Sequence, residues 1–251
     1  MKLISPFPNI TIYKDKLGRT IARQKPVRSK KRKAAELPYH MVCTNAAFTE
    51  AATAGKLIRY AFRHQIQKID DSLITSRLLQ ACMGVIKAGP QADRRHPKFF
   101  DGDPSLLDNF QFNLKAPIDD AFHQTGFTNI EIDDAQVSMR LPSFVPAAMI
   151  QNRKGGGSHY KLRPVMAAFD TAAGKIWLAK EEEPDAPLPL DQKLVPPKNL
   201  RASIDITGDI VLLFALGLEF YWQTGEGQWS PVAGGHHDAL GILRAVKLHI
   251  E

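Results

Sequence analysis

One stretch limits the architecture more than any other. Residues 210–222 read IVLLFALGLEFYW, thirteen positions with a single charge at Glu219. A half-buried strand would alternate with polar residues, so a run like this needs apolar neighbours on both sides. We read it as a central strand buried on both faces. A buried helix is the alternative, because short apolar runs do not separate the two by period. No stretch of the chain approaches the roughly 18 continuous apolar residues of a membrane span.

The apolar period changes near residue 100. Before it, Phe48, Ala51, Ala52, Leu57, Ile58, Ala61, Phe62 and Ile66 recur at helical spacing, predicting a helix from about Asn45 to Ile66 with Thr44 or Asn45 as N-cap. A second helix is expected to open at Asp70-Asp71-Ser72, where acids favour a helix N-terminus, and to end at Gly89-Pro90. Its apolar set is Leu73, Ile74, Leu78, Leu79, Cys82, Met83, Val85 and Ile86, and the short break around Lys68–Ile69 implies an antiparallel pair. Residues 89–105 are rich in turn formers and mark a boundary. Beyond it, β-like runs are expected at 107–114, 127–132, 135–141, 159–169, 175–180, 200–206, 210–223 and 239–250, separated by breaker segments. Short strands without intervening helical pattern imply an antiparallel sandwich or barrel.

Upstream, NITIYKDKLGRTIARQKP reads as a β-hairpin. Ile10 and Ile12 alternate with polar neighbours, Ile21 lies on the returning strand, and Gly18 is free to take a positive φ in the turn. Residues 27–40 form a charged connector closing at Pro38. The fold class expected is therefore α+β, in three parts: a basic hairpin and connector over 1–40, a helical pair over 41–100, and a β-sandwich-like domain over 101–251.

The net charge of +7 conceals a polarity. Residues 1–100 hold 20 Lys plus Arg against 6 Asp plus Glu, and residues 101–251 hold 13 against 20. The densest stretch contains Lys14, Lys16, Arg19, Arg23, Lys25, Arg28, Lys30, Lys31, Arg32 and Lys33, with Asp15 its one acid. Lys56, Arg59 and Arg63 add a basic stripe on the first helix. Such a surface has three readings: a solvated face, a phosphate-binding patch for nucleic acid, or a docking arm for an acidic protein surface. The acidic second part of another copy of the chain is such a surface.

Residues that suggest chemistry do not converge in sequence. His236-His237-Asp238 lacks metal-ligand spacing, since adjacent residues point apart. Cys43 and Cys82 lie near or in the helices, and Cys82 follows Leu78 and Leu79 on the apolar face, where core filling is expected. The glycines at 155–157 lead into a strand, not the helix of a phosphate-binding loop. Asp119-Asp120, Asp133-Asp134 and Glu181-Glu182-Glu183 lack the EF-hand pattern, although sandwich edge loops bind calcium irregularly. Trp177, Trp222 and Trp229 suggest a sugar platform, but such aromatics are more often core or rim. Neither GxSxG nor HExxH occurs, so no enzyme, metal or cofactor is expected.

The segments ITIYKDKLGRTIARQKP and TNAAFTEAATAGKLIRYAF, with LPSFVPAAMI and LLFALGLEFYW further on, resemble a family of uncharacterised Bacteroidota proteins. That family shares a short hairpin, a basic connector and an "AGKLIR" helix. The resemblance covers most of the chain and implies a two-part protein made in the cytoplasm, without an activity to carry over. The dense SKKRK at residues 29–33 departs from the shared pattern. The N-terminus carries no apolar run of roughly 7–15 residues, so no signal peptide and a cytoplasmic location are expected.

The function expected from the sequence is that of a non-enzymatic structural or interaction protein. Through its basic arm it would self-assemble as a homo-oligomer or dock into a larger complex, with no membrane partner. The alternatives are sequence-nonspecific nucleic-acid binding and a β-sandwich module for carbohydrate or calcium.

Overall fold

The apolar run is a strand. A computed structural model describes residues 2–3, 10–15, 17–24, 37–69, 71–90, 94–123, 130–133, 136–152, 157–179, 186–203, 208–234 and 237–250. It places Ile210–Trp222 within one 18-residue strand of the larger of two compact units, Met1–Val42 and Cys43–Glu251.

The first unit contains an antiparallel sheet in the order β1 (Lys2–Leu3), β2 (Ile10–Lys14) and β3 (Thr20–Gln24). The expected hairpin is its β2–β3 half, with Ile12 opposite Ala22 and Tyr13 opposite Ile21. Asp15 organises the turn. Its Oδ1 accepts from Leu17 N and Arg19 N at 2.9 Å each, and Gly18 takes φ +77°, a conformation that costs other residues strain.

The second unit begins within α1 (Tyr39–Ala61), a helix that starts directly after Pro38, whose carbonyl accepts from Met41 N and Val42 N. The helix therefore begins about six residues earlier than its period suggests. Thr44 and Asn45 are interior residues and not caps: the Asn45 carbonyl accepts from the Thr49 hydroxyl. The buried stripe is Ala51, Ala54, Leu57, Ile58 and Ala61, while Phe48 and Ala52, expected to pack, are exposed. A break at Phe62 leads to the single turn α2 (Arg63–Ile66), then to α3 (Ile74–Lys87). Asp71 Oδ1 accepts from Leu73 N at the approach to α3, and Asp70 lies outside the described residues. Arg59 bonds Thr75, and Gly55 lies beside Leu78 and Cys82, so positions fall along α1 as they rise along α3. The pair is antiparallel, as expected.

After α3 comes a 3₁₀ turn, Pro104–Leu107, capped by Asp103, followed by the single turn α4 (Ile118–Ala121). The expected strand at 107–114 is not one. That segment follows β12 (Ala239–Ile250) with one bridge, Gln111 to Gly241, and main-chain bonds from Asn109 and Phe112 to Ile242 and Leu240. Arg77 holds it by donating to the carbonyls of Gln111 and Phe112. The remaining elements are β4 (Ile130–Asp133), β5 (Gln136–Leu141), the turn α5 (Pro146–Met149), β6 (His159–Asp170), β7 (Lys175–Leu178), β8 (Leu188–Pro189), β9 (Lys198–Ser203), β10 (Gly208–Gly225) and β11 (Gln228–Pro231). Parts of the runs expected at 127–132, 135–141, 175–180 and 200–206 lie outside the described residues.

β10 is the centre of the main sheet. β6 flanks it on one side, and β12 and β11 flank successive lengths of the other, all antiparallel; β7 and β8 pair with opposite ends of β6. Ile210, Leu212, Phe214, Leu216, Leu218 and Phe220 share a core with Val137, Met139, Leu141 and Leu200 of the small sheet β4-β5-β9. The alternate residues Val211, Leu213 and Ala215 share a second core with Ile58, Leu78, Cys82 and Val85 of the helices. The result is three layers, helices over a main sheet over a small sheet, in an α+β fold.

The helices and the β-rich part thus belong to one unit with a shared core, and the turn-rich 89–105 segment runs inside it. Gly102 shows how closely. A Cβ there would lie 2.3 Å from the Val85 carbonyl oxygen at the end of α3, so the close approach requires glycine.

Candidate functional site

Of the cations expected to bind a partner, Lys14, Arg19 and Arg23 are exposed on or beside the β2–β3 hairpin. Arg19 pairs with Asp15, Nε to Oδ2 at 2.7 Å. Lys16, Lys25, Arg28, Lys30, Lys31, Arg32 and Lys33 lie outside the described residues. The helical stripe divides by role. Lys56 is exposed, Arg59 Nη1 donates to Thr75 Oγ1 at 2.8 Å and ties α1 to α3, and the Arg63 guanidinium stacks 5.0 Å from the centre of the Tyr60 ring.

A second basic region is present that composition alone does not reveal. A cavity of about 870 Å³ wraps the exposed length of β6 in the larger unit. Alternation along β6 gives it two characters. Tyr160, Leu162 and Met166 face the small sheet, where Leu141, Phe144 and Leu200 complete an apolar wall. Lys161 and Arg163 face the other way, towards the α2 end of the helical layer, where His64 and Lys68 join them. Lys198 and Arg201 of β9 complete the lining, so among the described residues five Lys and Arg line the cavity and no Asp or Glu does.

One carboxylate lies behind this lining. Glu219 is 5% exposed and accepts from Lys68 Nζ at 2.8 Å and from Tyr221 Oη at 2.5 Å, with Arg163 Nε at 3.4 Å. Burial alone would raise its pKa, but the bonds from Lys68 and Tyr221 and the Arg163 charge outweigh it and hold the carboxyl below its ordinary range. Burial, and then Glu219 itself, push the Tyr221 phenol up. At neutral pH the pair is therefore a carboxylate and a phenol, neither poised to pass a proton.

Tyr160 is different. It is 1% exposed, and its hydroxyl has no hydrogen-bond partner among the described residues. Burial, aided by the charge of Asp191, pushes its pKa up to about 12, so it stays a hydrogen-bond donor.

The other residues singled out do not assemble into a site. Cys43 and Cys82 are buried free thiols, and burial raises Cys82 to about 12, far from a reactive thiolate. Asp238 is buried and accepts from Phe220 N, while His236 lies outside the described residues. Asp119 and Asp120 sit in the first turn of α4; Asp134 and Glu181-Glu182-Glu183 lie outside the described residues, as do Gly155 and Gly156. Trp177 packs at the edge of a core, Trp229 lies against the His159 ring, and Trp222 is exposed. Among the described residues no three His, Cys, Asp or Glu side chains gather as metal ligands, and no helix is long and apolar enough to cross a membrane.

Sequence reasoning passed over the cavity cations. A signal existed in HYKLRP, where Lys161 and Arg163 alternate with Tyr160 and Leu162 on a predicted strand. Lys68, Lys198 and Arg201 are brought to them only by the tertiary fold. No protein-family model matches the chain, and neither the curated proteins nor the solved structures contain a match to it.

Proposed function

We propose that this is a non-enzymatic interaction protein that docks through its basic N-terminal arm onto acidic protein surfaces, copies of itself included. One observation carries the reading. Among residues 10–15 and 17–24 none is buried, and Ile10, Ile12 and Ile21 remain half-exposed beside Lys14, Arg19 and Arg23. A small sheet with no interior of its own is marginal in water and gains stability by burying a face or an edge against a partner. Eleven Lys plus Arg against two acids in residues 1–42 make an acidic partner the complementary one, and the net-negative composition of residues 101–251 supplies it in every copy. A heterologous contact of this kind builds rings or filaments.

Light scattering on the full chain tests this. Mass above the monomer at low salt, reverting to monomer at about 0.5 M salt where charge attraction is screened, is the expected result. The triple variant Lys14→Glu, Arg19→Glu, Arg23→Glu is expected to remain monomeric at low salt. A wild-type chain that is monomeric at every salt and concentration overturns self-docking. A labelled duplex bound with a steep salt dependence, near −0.9 per phosphate contact on a log–log plot, would instead favour nucleic acid as the arm's partner.

A further inference from the structure

We propose that the arm docks by strand addition, the outer edge of β3 in one copy pairing antiparallel with the outer edge of β4 in another. This rests on the self-docking reading given above and names the surface that receives the arm. Three observations support it. The first is that both edges are open. β3 and β4 are end strands of their sheets, and among the described residues no strand lies beyond either.

The main-chain groups on those edges follow from the register. Asp15 N donates to Arg19 O at 3.0 Å, so the bonded pairs of the β2–β3 ladder continue at Tyr13–Ile21 and Thr11–Arg23. Thr20, Ala22 and Gln24 therefore turn their N–H and C=O groups away from β2. In β4, Asp133 stands opposite Gln136 across two residues. In so short a connection the closing pair is the bonded one, which turns the main-chain groups of Ile130 and Ile132 outward. Each edge presents donors and acceptors that an added strand satisfies.

The second observation is charge. Arg23 on β3 and Glu131 on β4 are both exposed, and among the described residues neither side chain is ion-paired or hydrogen-bonded. Like charge opposes pairing of β3 with β3 or of β4 with β4, and opposite charge favours the mixed pair.

The third is that one alignment serves every requirement. Matching the outward groups sets Ala22 opposite Ile132 and Gln24 opposite Ile130, and Arg23 then falls opposite Glu131. Ile12 and Ile10, which pair with Ala22 and Gln24 across β2–β3, come to the same side as Ile130 and Ile132. Those two pack against the core between the sheets, so the half-exposed isoleucines of the arm would extend its margin. Two unlike edges make the contact heterologous.

The test is sedimentation velocity of the full-length chain at low salt. Arg23→Glu and Glu131→Arg each set like charges opposite one another and are expected to weaken self-association at least about fivefold. Their mixture is the decisive arm. The first variant keeps a native β4 edge and the second a native β3 edge, so together they should form a dimer of one chain of each and nothing larger. The double variant restores opposite charge and should again associate. Ala22→Pro removes an outward N–H, leaves the β2–β3 bonds in place and should abolish association. Thermal unfolding confirms that each variant is folded. A wild-type chain that is monomeric at every concentration and salt overturns the self-docking reading and strand addition with it. Wild-type association that persists unchanged in Glu131→Arg leaves that reading standing and overturns strand addition at β4. So does a mixture of the two variants that stays monomeric or grows beyond the dimer.

Discussion

The two units of the chain show what each kind of residue can do for a fold. The smaller one has β-strands in register, a turn built by Asp15 and Gly18, and the isoleucines Ile10, Ile12 and Ile21 on its β2–β3 hairpin, yet none of its residues 10–15 and 17–24 is buried. The larger one buries both faces of a single strand, β10, against helices on one side and a second sheet on the other. Hydrogen-bonded geometry is common to both, but among the described residues of the sheet in the smaller unit no side chain is fully buried, whereas β10 has an unbroken buried run. Since removal of apolar surface from water is the main favourable contribution to folding, stability should be concentrated in the second unit, and recognition in the first.

The sharpest way to break this contrast is to truncate one apolar residue in each. Phe214 is fully buried at the middle of β10, and Phe214→Ala is expected to cost about 3–5 kcal/mol. Ile12→Ala in β2 is expected to change the same transition by less than about 0.5 kcal/mol. Urea unfolding followed by tryptophan fluorescence reads the second unit specifically, because Trp177, Trp222 and Trp229 all lie in it. Comparable losses from the two substitutions would mean that the arm is part of the same cooperative structure.

Legibility in the sequence followed the same division. The run at 210–222 could be read as doubly buried because so many consecutive apolar side chains need apolar neighbours on both sides, with a buried helix left as the alternative to a strand, and β6 and β12 were marked by length and pattern. The helical pair was visible from its period, but its start was not. Pro38 sets the first turn of α1, whereas Thr44 and Asn45 looked like caps only because the apolar stripe begins after them. Phe48 was read as core on spacing alone, and spacing does not say where the partner surface ends. The segment 107–114 has strand-like residues, yet it pairs with β12 at one bridge and is further held by scattered main-chain and side-chain bonds, those from Arg77 included. The cavity was hardest to see. Its cations come from the turn after α2, from β6 and from β9, and only the packing of three layers brings Lys68, Lys161, Arg163, Lys198 and Arg201 together.

Electrostatics within the second unit offer a finer test. Asp238 is 7% exposed, and burial, with the nearby charge of Glu219 adding to it, raises its pKa from 3.8 to about 6, despite the bond from Phe220 N. Between these values the folded protein holds more protons on this group than the unfolded chain does. Its ionisation therefore subtracts stability as pH rises from about 4 to about 6, by roughly 2–3 kcal/mol in all. Glu219 works in the opposite sense, since its depressed pKa contributes stability above its ordinary 4.5 that is lost on acidification. Asp238→Asn isolates the first effect, because the amide oxygen still accepts from Phe220 N. Unfolding free energies measured from pH 4 to 7 should show the variant gaining on wild type steadily through this window. A difference independent of pH would mean that Asp238 ionises normally.

A further effect has the opposite sign from ordinary core damage. Replacing a buried side chain usually destabilises, but Tyr160→Phe removes only a hydroxyl, and that hydroxyl has no partner to lose among the described residues. Desolvating an unsatisfied polar group costs about 1–3 kcal/mol, part of which the variant recovers, so an increase in stability of about 1 kcal/mol is expected. The ring contact with Phe144, at 6.3 Å between centroids, is retained. Were Tyr160→Phe less stable than wild type, the hydroxyl would have a stabilising role within the fold itself, and the contrast between a deeply buried core and an arm whose described residues are unburied would have to be redrawn around it.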